Sequence, residues 1–264
     1  MATQSLVKRA VQVIELLAEQ AEGSAVTAIA QRLNIPASAA HRLLITLAES
    51  GIAEQDERTK HYRLTLAFPA LGLRYLSRFT FMDICRPVME ALALQTRELV
   101  RLAVVDKTSL VWIAKTQGSR SSLRIDPLEG RNAILHVTAA GKAWLASLPN
   151  EQIKKLVRLK RSGTARAAEP YGPRAIQSTD ALIEDLEWCR RRGYAVTYDE
   201  AELGVAAVGA AIRNGSAATA AAVGTVSVAG PSSRLKRKDL EQMAEPVMEA
   251  ARRLSEVWPA TSHF

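Results

Sequence analysis

Residues 27–51, TAIAQRLNIPASAAHRLLITLAESG, restrict the possible folds more than any other stretch of the chain. The pattern predicts a short helix over 27–33, a tight turn through Asn34 and Pro36, and a second helix over 37–50. In that second helix Ala40, Leu43, Leu44 and Leu47 recur at i, i+3, i+4 and i+7, which commits one face to a core. The opposite face carries Ser38, Arg42, Ile45 and Glu49, with His41 and Thr46 at its flanks. A buried stripe backed by a short polar face with one arginine suits a helix that reads DNA. Any amphipathic surface helix shares that description, so the flanking segments have to decide.

They extend the pattern in both directions. Leu6, Ala10, Val13, Ile14 and Leu17 repeat with helical period over 5–20, behind Ser5 as a candidate N-cap, and Gly23 closes that region. After Gly51 the sequence IAEQDERTKHYRL reads as a strand, a polar turn through Asp56, Arg58, Thr59 and Lys60, and a second strand through Tyr62 and Leu64. A hairpin directly after a helix-turn-helix makes a winged helix. Arg58, Lys60 and Arg63 are placed to touch phosphates, contacts that give affinity and register but no sequence information. A hairpin tip charged only for solubility is the plainer alternative.

The net charge of +8 is not the evidence for a nucleic-acid partner. Residues 1–80 hold nine Lys/Arg against seven Asp/Glu, and the remaining residues hold twenty-six against twenty. Most of the surplus is therefore outside the winged helix. Lys154, Lys155, Arg158, Lys160, Arg161 and Arg166 supply much of it, as a solvated helix face and loop would. A hydrophobic content of 48% with 23% charged residues is that of a globular protein, and 264 residues allow one large or two ordinary domains. No run of about 18 apolar residues could span a bilayer and no secretion signal opens the chain, so a cytoplasmic protein without a membrane partner is expected. Cys85 and Cys189 form no CxxC or zinc-spaced cluster and read as reduced, half-buried thiols.

Two helices are predicted next, over 66–78 with Pro69 in the first turn and over 79–99 with Pro87 as a kink or as the true start. From Leu99 the pattern turns to strands: 99–106 and 109–117 as a hairpin, then a strand at 123–125 after a polar loop. Helices over 138–147, 150–159 and 179–192 follow, with 162–174 as loop between the last two. Strands over 194–199, 205–212 and 220–228 come next, the last two joined at Asn214-Gly215, and a helix over 235–258 ends the pattern. Antiparallel strands with inserted helices argue for an α+β domain with helices packed on one sheet.

Three stretches together resemble the IclR family of bacterial transcription regulators. They are IPASAAHRLLITLAESGIAEQD with HYRL, LHVTAAGKAWLASLP (135–149), and RGYAVTYDEAELGVAAVGAAI (192–212) with SVAGPSSRL (227–235). The resemblance implies a winged helix-turn-helix domain over 1–66, a linker helix over 67–80, and a GAF-like effector-binding domain over 81–264 whose antiparallel sheet is flanked by helices. It also implies a homodimer or homotetramer on an operator palindrome of double-stranded DNA, responding to a small organic acid, with no cofactor. Ala37 and Ala39 stand where many members have Lys and Thr, so Ser38, His41 and Arg42 are expected to carry more of the DNA contact. The family's pocket positions correspond to Ala139, Ala140, Thr197, Ala207, Ser227 and Ala229, with Leu123 and Ile125 lining a wall.

For the effector, an anion could be held by the unpaired backbone N–H groups where the chain enters the helix at Thr138, with Ala139, Ala140 and Gly141 allowing close approach. Ser227 would add a hydroxyl, and Leu123, Ile125 and Ala207 would take the apolar end. Tight helix-on-sheet packing explains the same small residues equally well. His136 at the helix start reads as a local hydrogen-bonding residue, and four scattered histidines make no metal site. Asp199, Glu200 and Glu202 could be taken for acid/base groups of an enzyme, the rival function class, but no partner accompanies them and they read as a turn between strands. A third class is an adaptor whose winged helix binds protein.

Overall fold

The computed structural model describes residues 5–76, 81–127, 130–157, 171–214 and 221–258. The expected loop over 162–174, except its last four residues, and most of the Asn214-Gly215 turn fall outside them. The chain forms two compact units, Met1–Thr80 and Phe81–Phe264.

In the first unit the order is α1 (Leu6–Ala18), α2 (Val26–Leu33), α3 (Ala37–Glu49), β1 (Ala53–Gln55), β2 (Tyr62–Leu64) and α4 (Ala67–Leu76). Its core joins Val13 and Leu17 of α1, Ile29 and Ala30 of α2, and Ala40, Leu43, Leu44 and Leu47 of α3 with Ala53 and Tyr62 of the hairpin. Every α3 residue expected inside is inside. The α2–α3 turn works because Asn34 adopts the left-handed conformation at φ 51°, which asparagine tolerates better than most residues. Ser5 precedes α1, but its hydroxyl makes no capping hydrogen bond. Gly23 has a sharper role than closing a helix. At φ +79° it turns the chain so that Ser24 exchanges two backbone hydrogen bonds with Tyr62, at 2.8 and 2.9 Å. A side chain there would meet the Tyr62 carbonyl oxygen at 2.7 Å.

The second unit contains α5 (Phe81–Thr96), β3 (Leu99–Asp106), β4 (Ser109–Gln117), α6 (Ala139–Leu145), α7 (Asn150–Leu156), α8 (Thr179–Arg192), β5 (Ala195–Tyr198), β6 (Val205–Arg213), β7 (Ala222–Pro231) and α9 (Arg237–Val257). Pro87 lies inside α5 and does not start it. The five strands form one antiparallel sheet in the order β4-β3-β7-β6-β5. The strand expected at 123–125 does not form. The outer side of β4 is covered later, by Gly130 to Ala133, through Trp112 N–H to Arg131 O, Gly130 N–H to Trp112 O and Ala133 N–H to Leu110 O.

Alternation across this sheet separates two unlike faces. Val100, Leu102, Val104, Val208, Ala210, Ile212, Val226 and Val228 share one face by register and are buried. On that face a side chain at Gly224 would strike Trp258 at the end of α9, and α9 lays down Leu240, Ala244, Val247, Ala251 and Leu254 at helical spacing. The other face carries Arg101, Ala103, Ala207, Gly209, Ala211, Thr225, Ser227 and Ala229. Here α6 approaches so closely that a side chain at Gly209 would press on the Ala139–Ala140 peptide at 3.0–3.2 Å. Helices therefore cover both faces, in place of the one-sided packing expected from sequence. The β5–β6 connection, 199–204, is a turn, with Asp199 at φ 56° and its carboxylate accepting from Gly204 N–H at 2.8 Å.

Candidate functional site

On α3 the core stripe fixes which residues face out: Ser38, His41 and Arg42 are all exposed, and Ile45 is 38% exposed among them. Thr46 is turned inward on its own helix, its hydroxyl donating to Arg42 O at 3.0 Å. The wing tip is tied together by hydrogen bonds to Asp56. Asp56 Oδ1 accepts from Arg58 N–H (3.1 Å), Thr59 N–H (2.7 Å) and the Thr59 hydroxyl (2.9 Å). Those Thr59 donors hold the Asp56 carboxyl below its usual range. Lys60 closes the turn in the left-handed region at φ 59°, with its carbonyl accepting from the Gln55 side chain. Arg58 and Lys60 are thereby held exposed at the tip. Arg63 is exposed too, but it sits directly across from Glu54 and donates to that carboxylate at 2.7 Å. Its charge is largely cancelled where it stands.

In the second unit, register brings four of the expected effector residues together. Thr197 pairs with Ala207, Ala207 with Ala229, and Ala229 with Leu99; one step along the same face Gly209 pairs with Ser227 and Ser227 with Arg101. The result is a contiguous floor of small and polar side chains. Thr197 and Ser227 are buried in it, at 4% and 2% exposure.

The remaining expected residues are placed otherwise. Ala140 packs with Trp112, Trp144 and Ala103 in an apolar cluster, and Ala139 is covered by the sheet at Gly209, so these alanines permit close packing. Gly141 is required for the same reason: a side chain would meet Leu135 O at 2.4 Å. At the start of α6, Thr138 Oγ1 accepts from Gly141 N–H at 3.1 Å, which caps one of the first backbone donors. Leu123 is 62% exposed, and its carbonyl is held by Arg234, which also makes a two-pronged pair with buried Glu98 at 2.6 and 2.9 Å. Leu123 is therefore not part of an apolar wall. Ile125 is half-buried, with its carbonyl accepting from Gln117 at the end of β4. His136 makes an edge contact with Tyr171, ring centroids 5.0 Å apart.

Two features escaped the sequence reading. Lys142 is 1% exposed and its Nζ lies 2.8 Å from Asp185 Oδ2 and 2.6 Å from Glu200 Oε2, so one buried cation ties α6 to α8 and to the β5–β6 turn. Burial pushes the Glu200 carboxyl above its usual value, with Lys142 opposing the rise. Glu200 is thus a structural partner, and the turn shows no free acid/base pair. The second feature is Arg101, whose guanidinium lies 3.5 Å from the centroid of the Trp112 ring. Both cysteines are free, as expected, but they are buried where the sequence reading has half-buried thiols, and burial raises each thiol to about 12. Among the described residues no His/Cys/Asp/Glu group is placed to hold a metal, and no helix is long and apolar enough to cross a membrane.

Comparison with known proteins covers nearly the whole chain. A family profile described as the IclR helix-turn-helix domain matches residues 6–57, and one described as the bacterial transcriptional regulator IclR C-terminal matches residues 73–256. The chain is 30% identical over 247 residues to the HTH-type transcriptional regulator BhcR of Paracoccus denitrificans, covering 94% of this chain and 85% of that protein. It is 29% identical over 249 residues to the transcriptional repressor IclR of Escherichia coli, covering 94% and 87%. Among solved structures, an IclR homologue from Microbacterium hydrocarbonoxydans complexed with 4-hydroxybenzoate superposes with a TM-score of 0.74 at 21% identity, covering 95% of this chain and 98% of that one.

Proposed function

This chain belongs to the IclR family of bacterial transcriptional regulators, DNA-binding proteins and not enzymes, and from that premise we propose that it binds an operator palindrome as a homodimer or homotetramer and releases or grips it in response to a small organic carboxylate. The observation that carries the DNA half is the α3 face: Ser38, His41 and Arg42 stand exposed directly behind a fully buried stripe, beside a braced wing presenting Arg58 and Lys60. Arg42 would reach base edges, and the wing cations would reach phosphates. Exposed Leu6, Val7 and Val11 on α1, with Leu66, Leu71 and Leu73 at and within α4, supply apolar surface for self-association. Residues 67–80 would serve as the link between the DNA-binding and effector-binding parts.

The effector half rests on the small, polar floor of the second sheet face, formed by Thr197, Ala207, Ser227 and Ala229. The ligand in the Microbacterium homologue is an aromatic carboxylate, and the proposed effector here is of that acid class. A role in the cytoplasm, controlling a catabolic operon, follows from the same reading. Fluorescence anisotropy of the full chain on a duplex taken from upstream of its own gene tests it. Saturable binding that exceeds binding to a scrambled duplex, and that shifts with an added carboxylate, is the expected outcome. Equal binding to both duplexes would remove the regulatory reading.

A further inference from the structure

Where α5 packs on β3, β4 and α9 it buries Cys85, Val88, Met89, Leu92 and Ala93. A helix with one buried face is expected to be polar on the other, and α5 is not. Ile84, Pro87, Ala91 and Leu94, at i, i+3, i+7 and i+10, are all exposed, Ile84 at 42% and Leu94 at 77%. That spacing gathers them into one apolar stripe along the helix. Single apolar residues are ordinary on a protein surface, whereas a stripe with alternating steps of three and four is the seam along which helices pair. On the α9 side the stripe borders a groove of about 400 Å³, lined by Val88, Ala91, Leu92, Pro246 and Ala250 among others.

The other border of the stripe is charged. Asp83, Arg86 and Glu90 lie along it by helical angle, and Arg97 follows just past the end of α5. All four are exposed, and among the described residues none of their side chains has a hydrogen-bond or ion-pair partner. Asp83 and Arg97 cannot neutralise each other within one chain, because the helix between them holds them about 21 Å apart. The signs along this border run acid, base, acid, base. A row in that order is complementary to its own reverse.

We propose that α5 is a homotypic docking surface: a second copy of this chain lays its own α5 antiparallel on the stripe, about a two-fold axis that passes between the helices near Met89. That axis sets Ile84 of one copy against Leu94 of the other and Pro87 against Ala91, and it brings the charged border against itself in reverse. Asp83 then meets Arg97 and Arg86 meets Glu90, each within about 3 Å of helical rise of the apolar register, a span these side chains bridge. Every pair occurs twice, because a two-fold contact is isologous. Parallel packing would instead set each charged border against the groove side of the other copy, so the charges select the antiparallel arrangement. Ala91, small and at the mouth of the groove, leaves room for Ile84 of the other copy to enter beside it. The contact lies in the second unit and goes beyond the self-association proposed for α1 and α4. Two distinct two-fold contacts on one chain are what turns a dimer into a dimer of dimers.

Sedimentation equilibrium of the full chain over a concentration series tests this. Asp83→Arg and Arg97→Asp each create two like-charge contacts in the assembly, so each should weaken association at least about tenfold and halve the mass where the wild type is associated. The double variant Asp83→Arg/Arg97→Asp restores opposite signs and should return association close to that of the wild type, a recovery that misfolding would not produce. Leu94→Asp should halve the mass too, with no recovery from either charge reversal. Single variants of wild-type mass overturn the proposal, and so does a double variant as weak as the singles. The same proteins on operator and scrambled duplexes keep this surface apart from the regulatory reading. A halved mass with equal binding to both duplexes removes the regulator and leaves the surface standing, whereas unmoved mass with specific binding intact removes the surface alone. A wild type that is monomeric at every concentration overturns the surface and the proposed homo-oligomer together.

Discussion

Among the described residues of 1–80, every fully buried side chain belongs to the apolar core, while the second unit buries Glu98, Ser119, His136, Lys142, Thr197, Thr225, Ser227 and Ser232. Under the proposed function the contrast follows from where each unit does its work. A DNA-reading unit works outward, so its interior has only to hold a helix and a wing in place, and apolar packing does that without directional constraints. An effector unit works inward, so polar groups must be carried into a poorly solvated space, each with a partner or a cost. The first unit should therefore respond to substitution mainly through binding, and the second mainly through stability.

The largest effect expected is at Lys142. Lys142→Ala leaves Asp185 and Glu200 facing one another without the cation, a loss of about 3–5 kcal/mol for a broken buried pair. Urea unfolding should show it in the second unit, with α3 still able to bind DNA at low denaturant. A cost below about 1 kcal/mol, the range of surface pairs, would break the comparison. The pH dependence sharpens it. Because the folded-state value of Glu200 lies above the ordinary 4.5, the folded protein binds the extra proton between those two values. Its contribution to stability is present below pH 4.5 and is lost as pH rises through the folded value. Glu200→Gln should flatten that fall.

Next in size is Ala140→Leu. A leucine forced among Trp112, Trp144 and Ala103 overfills a packed cluster and should cost about 1–3 kcal/mol. Unfolding by calorimetry at the wild-type temperature would mean the alanine borders open space after all, as the sequence alone suggested.

That reversal shows what was legible. The helix-turn-helix could be read because its function and its periodicity lie on one continuous segment: the spacing that buries Leu43, Leu44 and Leu47 exposes Ser38 and Arg42 automatically. The proposed effector floor depends on which strands become neighbours. Nothing within LVRLAVVD says that Arg101 will stand beside Ser227, 126 residues later. Lys142 looked like an ordinary helix residue in AAGKA, because its partners Asp185 and Glu200 come from distant segments. The strand expected at 123–125 does not form, and the outer side of β4 is taken by 130–133. The family motifs pointed to particular strands, and the register decides which of their residues share a face.

In the first unit the corresponding experiment is Arg42→Ala, which should cost about 1–3 kcal/mol on the operator and relax sequence preference at one position, with no change in unfolding. A substantial drop in stability would mean that the outward face is also structural.

The smallest effects discriminate between the wing cations. Lys60 and Arg63 are both exposed on the hairpin, and the sequence treats them alike. The structure does not, because Arg63 donates to Glu54 across the strand pair, while Lys60 caps the Asp56 turn with its backbone. Each phosphate neutralised by a protein cation releases counterions, so losing one true contact flattens the plot of log affinity against log salt by roughly one unit. Lys60→Ala should do this on operator and scrambled duplex alike, at a cost within the range of about 0.2–1 kcal/mol for exposed ionic contacts. Arg63→Ala should change the slope less, since the guanidinium is engaged by Glu54 and not by a phosphate. Glu54→Ala then becomes the decisive variant. By freeing Arg63 it should tighten binding to any sequence and steepen the salt dependence. If Arg63→Ala instead flattens the slope as much as Lys60→Ala, and Glu54→Ala leaves it unchanged, the pair opens on DNA and the wing presents three working cations.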